Sequence, residues 1–425
     1  MNRSGNAVVA VVGLGYVGVP TAMSLVAAGH RVIGFDVAVE RLTNIAEANI
    51  DLPPADLTRL RTDLASGLLE LTVDANRISE ADTVIVCVPT PVDESQAPEL
   101  RALHSACNTV VAQARGGQSI ILTSTTYVGC TRELLVGPLT DRGFVVGQDV
   151  FVAFSPERID PGVSGHSPTA TPRVVGGVTP SCTHHAAETL AATAAELHEV
   201  SSPEVAEMTK LLENTFRAVN IAFANEFAEV AESMGLPITE IIDAAATKPY
   251  GFMRFTPGPG VGGHCIPCDP HYLLWQLRRS RGSAPITEAA MAGIVQRPST
   301  IVSKIRARLA DASRPMAGSR VHIVGVAYKP GVADVRESPA LEIITDLTRA
   351  GAMVTYSDAY VPAITIDGQR VPTSSSEAAE SADLILVHTV HPGETEWWTS
   401  GHDTGRPQVL DMTFRSEPRL IPDMH

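Results

Sequence analysis

A short apolar run that leads straight into a glycine-rich turn constrains the fold of this chain most. Ala7 to Val12 is a continuous valine-rich run, which is typical of a buried parallel strand. Gly13 to Gly18 follows with the sequence GLGYVG, and a helical pattern then runs from about Pro20 to Ala28. A second apolar run, His30 to Phe35, ends at Asp36. This order predicts a strand–helix–strand unit of a parallel α/β sheet.

Each glycine of this turn, and the acid after the second strand, has a physical task in such a unit. Gly13 permits a tight turn, Gly15 lets a pyrophosphate approach the backbone, and Gly18 lets the helix pack closely on the strand. The helix N-terminus offers free N–H groups to phosphate. Asp36 is placed to accept hydrogen bonds from ribose hydroxyls, and no arginine follows it directly, which favours NAD over NADP. The predicted dinucleotide-binding residues in this segment are Gly13, Gly15, Tyr16, Val17, Gly18, Asp36 and Arg41.

Three further apolar runs predict strands whose carboxyl ends carry polar residues. The runs are Thr83 to Val88, Ser119 to Leu122 and Phe151 to Phe154. Ligands of open α/β sheets bind at the carboxyl ends of the strands, so the residues just after these runs are candidates for a site. They are Pro89, Thr90, Thr125 and Glu157. Two alternatives stay open, namely threonines that bond their own backbone in a turn and a glutamate that is a solvated loop residue.

A long helical pattern begins near Pro203 and ends before Gly235. Its length of about 30 residues exceeds that of a typical globular helix, which suggests a spine between domains. Lys210 and Asn214 lie four residues apart and therefore project from one face. On another face, apolar side chains recur at steps of three and four residues, which predicts either core or a dimer interface. They are Val205, Met208, Leu212, Phe216, Val219, Phe223, Phe227 and Val230.

The last third of the chain is a weak echo of the first segment. Arg320 to Val324 predicts a strand, Ala340 to Arg349 a helix, and Val354 to Ser357 a second strand that ends in Asp358. The glycine signature is degraded here, which suggests a nucleotide-type domain that holds something other than a dinucleotide. We therefore predict an α/β chain with two Rossmann-like, doubly wound domains joined by a long central helix and a helical domain. The predicted domain boundaries are 1–200, 201–300 and 316–425.

A cysteine lies at the end of a glycine-rich loop later in the chain. Gly258 to Pro270 has the sequence GPGVGGHCIPCDP, in which Cys265 is followed four residues later by Asp269. Such a thiol is a candidate nucleophile, because a thiolate attacks carbonyl carbon readily once its pKa is lowered. A plain structural loop and a metal site stay open as alternatives. Closed zinc sites usually draw their ligands from two separated elements, so we predict no metal here. The ligands of the metal alternative would be His264, Cys265, Cys268 and His271.

Composition limits the classes of function. The formal net charge of −15 argues against nucleic-acid binding, and it implies that a local cationic pocket holds any anionic substrate. No apolar run approaches the roughly 20 residues that a membrane helix needs. The six cysteines show no framework spacing, and the polar N-terminal segment lacks a signal-peptide pattern. Together these features predict a protein of the reducing cytoplasm.

Five segments resemble the UDP-sugar 6-dehydrogenases, in the same order and across nearly the whole chain. They are Gly13–Gly18, Ser155–Arg158, Glu207–Asn214, Gly258–Asp269 and Lys329–Pro339. The resemblance implies oxidation of C6 of a UDP-sugar from alcohol to acid by two NAD and one cysteine, and we expect a homodimer. The run FSPER before DPG, within 154–162, resembles the enzymes that act on N-acetylhexosamines. The implied substrate is UDP-N-acetylglucosamine, with UDP-N-acetylmannosamine and UDP-glucose as alternatives.

The resemblance also implies the catalytic roles. The Cys265 thiolate adds to the bound aldehyde, the thiohemiacetal is oxidised, and water hydrolyses the thioester. Lys210 and Asn214 bind the C6 oxygen as negative charge develops on it. Asp269 and Thr125 position water. The implied catalytic residues are Cys265, Lys210, Asn214, Asp269, Glu157 and Thr125.

Further residues are implied to bind substrate and cofactor. Glu157 assists the hydrolysis or the deprotonation. Lys329 and Arg336 bridge the C-terminal domain to substrate and cofactor, and Pro330-Gly331 makes the Lys329 loop less regular than in relatives. The cofactor set gains Pro89, Thr90, Thr125 and Arg336. The implied substrate-binding residues are Glu157, Arg158, Lys210, Asn214, Lys248, Tyr250, Arg254, Gly262 and Lys329.

Rival classes of function stay open beside this one. A two-electron 3-hydroxyacid-type dehydrogenase would share the first domain and the helical spine but needs no nucleophilic cysteine. A non-catalytic sugar-nucleotide binding protein would leave both Cys265 and Lys210 unexplained. The yield of NADH per sugar distinguishes these classes.

Overall fold

The computed structural model describes residues 7–93, 95–158, 171–263, 266–375, 377–395, 397–399 and 407–414. The chain divides into two compact units. The first comprises Met1–Glu213 and His271–Gly282, and the second comprises Asn214–Pro270 and Ser283–His425.

The first unit is built on an eight-stranded sheet. Its strands are β1 (Val8–Val12), β2 (Arg31–Phe35), β3 (Leu69–Thr72), β4 (Thr83–Val86), β5 (Ser119–Leu122), β6 (Phe151–Phe154), β7 (Arg173–Gly177) and β8 (Leu197–Val200). The order is β3-β2-β1-β4-β5-β6-β7-β8, and each neighbouring pair is parallel except β6 with β7. The first six strands thus have the doubly wound order in which the crevice for a ligand lies where the strand order reverses, between β1 and β4.

Helices cover both faces of this sheet. They are α1 (Gly18–Ala27), α2 (Val39–Ala46), α3 (Pro54–Ala65), α4 (Arg101–Gln113), α5 (Gly137–Asp141) and α6 (Pro180–Leu190). In β4, Val84 and Val86 pack into one hydrophobic cluster and Ile85 into the other, on the opposite face. A strand buried on both faces needs an unbroken apolar run, which is why these strands lack polar alternation.

A long helix, α7 (Pro203–Ser233), follows the sheet. Its apolar stripe faces outward: Leu212 is 63% exposed, Phe223 54% and Phe227 45%. The buried side of α7 is formed largely by alanines, together with Leu211. The interpretation of the stripe as core is therefore wrong.

The second unit contains a smaller parallel sheet of order β10-β9-β13-β14 and a separate antiparallel hairpin, β11 with β12. The strands are β9 (Arg320–Val324), β10 (Met353–Ser357), β11 (Ala363–Ile366), β12 (Gln369–Pro372), β13 (Leu384–Val387) and β14 (Gln408–Asp411). The helices are α8 (Ile238–Ala246), α9 (Asp269–Arg279), α10 (Pro285–Asp311), α11 (Pro339–Arg349) and α12 (Glu377–Glu380). Only the first two residues of α9 belong to this unit.

The predicted fold class is confirmed: two Rossmann-like α/β units occur in one chain, and in the sequence a long helix joins the strands of the first sheet to the rest of the chain. Some boundaries shift. The strand predicted to reach Val88 ends at Val86, because the Val88 N–H donates to Ser124 Oγ at 2.9 Å instead of to a neighbouring strand. Across the described part of the chain, no helix is both long and apolar enough to span a bilayer.

Candidate active site

The glycine turn of the first unit is shaped by close backbone packing. Gly13 has a φ of +90°, and a Cβ placed on it would lie 2.8 Å from the Cys87 carbonyl oxygen. A Cβ on Gly18 would lie 1.9 Å from the Gly13 carbonyl oxygen. Gly15 differs, since no atom lies within 4 Å of its Cβ position. The first and third glycines thus serve the turn and the packing, whereas Gly15 leaves open space in which a ligand can approach the backbone.

Asp36 and Arg41 are both anchored on this turn. Asp36 accepts hydrogen bonds from Leu14 N at 2.8 Å and from Ala38 N at 2.9 Å, one on each carboxylate oxygen. Arg41, on α2, donates from Nε to the Leu14 carbonyl at 2.8 Å. A carboxylate has about four acceptor positions, so Asp36 keeps capacity for ribose hydroxyls. Tyr16 and Val17 are half-buried in the same turn.

The predicted residues after β4 and β5 lie at the carboxyl edge of the sheet. Pro89 is exposed, whereas Thr90 is buried and its carbonyl accepts from the Tyr272 hydroxyl at 3.2 Å. Thr125 is half-buried in the loop after β5. These positions border the crevice expected of a doubly wound sheet.

Glu157 is held from two directions within the first unit. Its carboxylate pairs with Arg173 at 3.0 Å, and the two side chains are only 13% and 8% exposed. Lys210 Nζ donates to the Glu157 backbone carbonyl at 2.9 Å. Arg173 also donates to Ser155 Oγ at 2.8 Å, which fixes its guanidinium beside β6. The structure therefore brings the Lys210 side chain to the backbone of Glu157, two residues that the resemblance implies in catalysis.

The sequence interpretation missed Arg173. The available signal was an arginine that opens an apolar run, RVVGG, at the start of β7. Arg158, which the resemblance implies in substrate binding, pairs with Glu213 and donates to the Pro172 carbonyl at 2.8 Å. Its guanidinium is thus already engaged within the unit.

In the second unit, Asn214 donates from Nδ2 to the Asp269 carboxylate. Asp269 is 2% exposed and is the first residue of α9. The positive end of a helix dipole stabilises a carboxylate at that position. Two of the implied catalytic residues are therefore in direct contact here.

The glycine loop before Cys265 fits closely against the segment after β9. A Cβ on Gly262 would lie 2.6 Å from the Glu337 carbonyl oxygen and 2.7 Å from Tyr328 Cβ. Gly263 N donates to the Arg336 carbonyl at 3.1 Å. These contacts fix the path of the chain that leads to the cysteine.

Cys265 and His264 lie outside the described residues, so the nucleophile stays a prediction. No cluster of three potential metal-ligating side chains occurs among the residues that the structure describes. Cys268 is buried, with 3% of its surface exposed.

Five basic or aromatic residues predicted to bind ligand are distributed over the second unit. Lys248 lies 5.0 Å from the Tyr250 ring centroid, and Arg254 pairs with Asp243 at 2.7 Å. Lys248, Tyr250 and Arg254 are all exposed.

The other two predicted residues, Lys329 and Arg336, lie in the segment that follows β9. Lys329 is half-buried, and the exposed Arg336 pairs with Asp334 at 2.6 Å.

Asp358 occupies the position in the second unit that Asp36 occupies in the first, at the end of the second strand. Its carboxylate accepts from the backbone N–H groups of Val326, Ala327, Tyr360 and Val361 and from the His391 ring. Burial alone would raise the pKa of Asp358, but these hydrogen bonds hold it below its ordinary value. The side chain of Asp358 is fully buried, so this carboxylate is not available to a ribose. The finding supports the prediction that this domain holds something other than a dinucleotide.

Comparison with known proteins identifies the class. Models of the UDP-glucose/GDP-mannose dehydrogenase family match the chain with the NAD binding domain at residues 7–198, the central domain at 204–293 and the UDP binding domain at 322–411. The chain belongs to this family. It is an NAD-dependent dehydrogenase of nucleotide sugars.

Similar proteins include two UDP-N-acetyl-D-mannosamine dehydrogenases. That of Pyrococcus horikoshii is 32% identical over 409 residues, which covers 95% of this chain and 94% of the relative. That of Escherichia coli K12 is 34% identical over 400 residues, which covers 91% of this chain and 94% of the relative. The solved structure of UDP-D-ManNAc dehydrogenase from Pyrococcus horikoshii superposes with a TM-score of 0.88 at 30% identity and 97% coverage of both chains.

Proposed function

We propose that this enzyme oxidises C6 of a UDP-N-acetylhexosamine from alcohol to acid, with two NAD consumed per sugar and Cys265 as nucleophile. One observation carries the proposal. Helix α7 bears Lys210, bound to the Glu157 backbone at 2.9 Å, and one turn later Asn214, bound to Asp269. Each of these side chains thus contacts another residue of the implied catalytic set.

The chemistry of these groups suits the reaction. When bound, NAD would supply the hydride acceptor for each of the two oxidations. The Lys210 ammonium and the Asn214 amide are donors suited to an oxygen on which negative charge develops. Glu157 is the candidate proton acceptor, and Asp269 and Thr125 are the candidates for positioning water. Cys265 would hold the aldehyde covalently between the two oxidations, so that it does not escape.

The sugar class rests on two supports. The FSPER segment resembles that of enzymes acting on N-acetylhexosamines, and the relatives compared above are named for N-acetylmannosamine. These names favour the manno epimer over the gluco epimer that the sequence interpretation put first. The gluco epimer stays a prediction.

We further propose that the protein binds a second copy of itself. The exposed stripe of α7 carries aromatic and aliphatic side chains over its length, with Phe216 46% and Val230 40% exposed. Contiguous exposed apolar surface of this kind marks an interaction site. A homodimer packed along α7 would bury it.

The test is the yield and rate of NADH formation with a panel of UDP-sugars: UDP-ManNAc, UDP-GlcNAc, UDP-GalNAc and UDP-glucose. We expect two NADH per sugar and the highest kcat/KM with an N-acetylhexosamine. UDP-glucose should react more slowly but measurably, because a missing contact in an apolar slot discriminates only about 10–200-fold. One NADH per sugar would contradict the cysteine mechanism, and UDP-glucose as best substrate would contradict the sugar class.

Two cysteine variants serve as a matched pair in this assay. Cys265→Ala should lose overall oxidation by several orders of magnitude while NAD binding survives, and Cys268→Ala should retain turnover. The reverse pattern would move the nucleophile to Cys268.

A further inference from the structure

Glu207 is a buried carboxylate that is not among the residues implied in catalysis or in binding of substrate or cofactor. It lies on α7, three residues before Lys210, and is 1% exposed. It accepts three hydrogen bonds from one distant loop: from Gly129 N at 2.6 Å, from Thr131 N at 2.9 Å and from Thr131 Oγ1 at 2.7 Å. All these groups belong to the first unit.

The loop that Glu207 binds is the one that carries Thr125. It leads from β5 to the helical turn Arg132–Val136, and we call it the Thr125 loop, residues 123–131. Its middle is held separately by Gln276, which accepts from Val128 N at 3.0 Å and donates to Val128 O at 2.7 Å. The Tyr127 ring packs on Trp275 with centroids 5.5 Å apart. Residues 127–131 of the loop are therefore held by side chains from two helices, α7 and α9.

An ionised carboxylate is costly at this position unless it is fully hydrogen-bonded. Burial raises the pKa of Glu207, and the hydrogen bonds from Thr131 and Gly129 act in the opposite direction. A carboxylate accepts from all three donors, whereas a glutamine amide of the same shape would point its NH₂ group at one of them. Gly129 itself has a φ of +96°, a conformation that glycine adopts readily. The backbone N–H groups of Gly129 and Thr131 and the Thr131 hydroxyl thus all donate to the one Glu207 carboxylate.

We propose that Glu207 is a positioning residue that fixes the Thr125 loop relative to the turn of α7 bearing Lys210, and that it acts on the reaction through Thr125. Residues three apart on a helix lie on the same side, so Glu207 places the loop next to the Lys210 turn. The inference rests on the proposed function, in which Thr125 positions water for hydrolysis of the thioester. Hydrolysis should then be the step most sensitive to Glu207.

The test is a double-mutant cycle with Glu207→Gln and Thr125→Val, using the best UDP-sugar of the panel. Because a misplacement of about 1 Å can cost about 100-fold in rate, we expect Glu207→Gln to lower kcat by about 10- to 100-fold. The KM for UDP-sugar and for NAD should change by less than about threefold, since Glu207 is only 1% exposed and so offers no surface to either ligand. The double variant should be no slower than the slower single variant, because both changes disable the same group.

Glu204→Gln is the matched control. Glu204 lies on the same helix and pairs with Arg132 at 2.5 Å, and its side chain is more exposed than that of Glu207. The Glu204→Gln change removes one negative charge, as Glu207→Gln does. Its kcat should match that of the wild type. Thr131→Val, which removes one of the three donors, is the milder second variant if Glu207→Gln folds poorly, and it should show the same non-additivity with Thr125→Val.

The outcomes separate the two proposals. A wild-type yield of one NADH per sugar would overturn the proposed function. With a yield of two, rate losses of Glu207→Gln and Thr125→Val that simply multiply would overturn this inference alone, because they would show that Glu207 acts independently of Thr125. An unchanged kcat in Glu207→Gln would overturn it as well. Amide hydrogen exchange of residues 123–131 is the readout independent of turnover: it should quicken in Glu207→Gln and not in Glu204→Gln, and equal exchange in the two would count against the inference.

Discussion

At the scale of single residues, the buried pair of Glu157 and Arg173 shows how the fold holds one carboxylate in place. Both side chains are nearly enclosed, and Arg173 is itself tied to Ser155. Removing one partner of a buried ion pair leaves the other charge uncompensated. The orientation of the Glu157 carboxylate therefore depends on Arg173.

We expect Arg173→Gln to lower kcat by about 100-fold or more, within the range that a positioned acid or base contributes. Arg173→Lys keeps the charge but cannot reproduce the planar guanidinium contacts, so it should recover part of the rate. NAD binding, followed by fluorescence titration, should survive in both variants. Full turnover by Arg173→Gln would show that Glu157 needs no partner.

Local residue patterns could be predicted from sequence, and long-range pairs could not. Gly13, Gly18 and Asp36 form one short motif whose geometry is fixed by neighbouring residues. The pairs Glu157–Arg173 and Glu207–Thr131 join residues 16 and 76 positions apart. No periodicity links such partners, because only the assembled sheet and α7 bring them together.

At the scale of elements, the glycine loop before the cysteine is defined by what it packs against. Gly262 and Gly263 lie on Tyr328 and on the backbone of residues 336–337, so a side chain on Gly262 would meet backbone that cannot easily yield. Gly258 differs, since no atom lies within 4 Å of its Cβ position. Close packing thus requires glycine at position 262 of this loop but not at position 258.

We expect Gly262→Ala to lower turnover by about tenfold or more, because displacing the loop by even 1 Å moves a reacting group out of alignment. Gly258→Ala is the matched control and should keep near wild-type activity. The measurements are NADH formation and the rate of inactivation by iodoacetamide. Equal behaviour of the two variants would argue that the loop path is not set by this packing.

At the scale of the whole molecule, the fold class follows from two strand–helix–strand patterns and one long helix, which sequence alone could indicate. The side of α7 that is buried could not be deduced in this way. A stripe at steps of three and four residues shows that one face is apolar, but it does not show what covers that face. Small alanines, together with Leu211, fill most of the buried side, and the large side chains are left outside.

The outward stripe of α7 yields the last prediction, that Phe223→Glu converts a homodimer into monomers. Phe223 is 54% exposed, and its ring lies 4.5 Å from that of Phe227. Each buried Phe contributes about 1.5–3 kcal/mol to association, and an unpaired glutamate in its place adds a desolvation cost in both copies. Met353→Glu is the control, since Met353 is similarly exposed, at 55%, but belongs to β10 and not to the stripe of α7. Sedimentation velocity at micromolar concentration should show monomer for Phe223→Glu and dimer for Met353→Glu and the wild type. A wild type that sediments as a monomer would contradict the homodimer. A Phe223→Glu variant that stays dimeric would show that the dimer interface lies elsewhere on the chain.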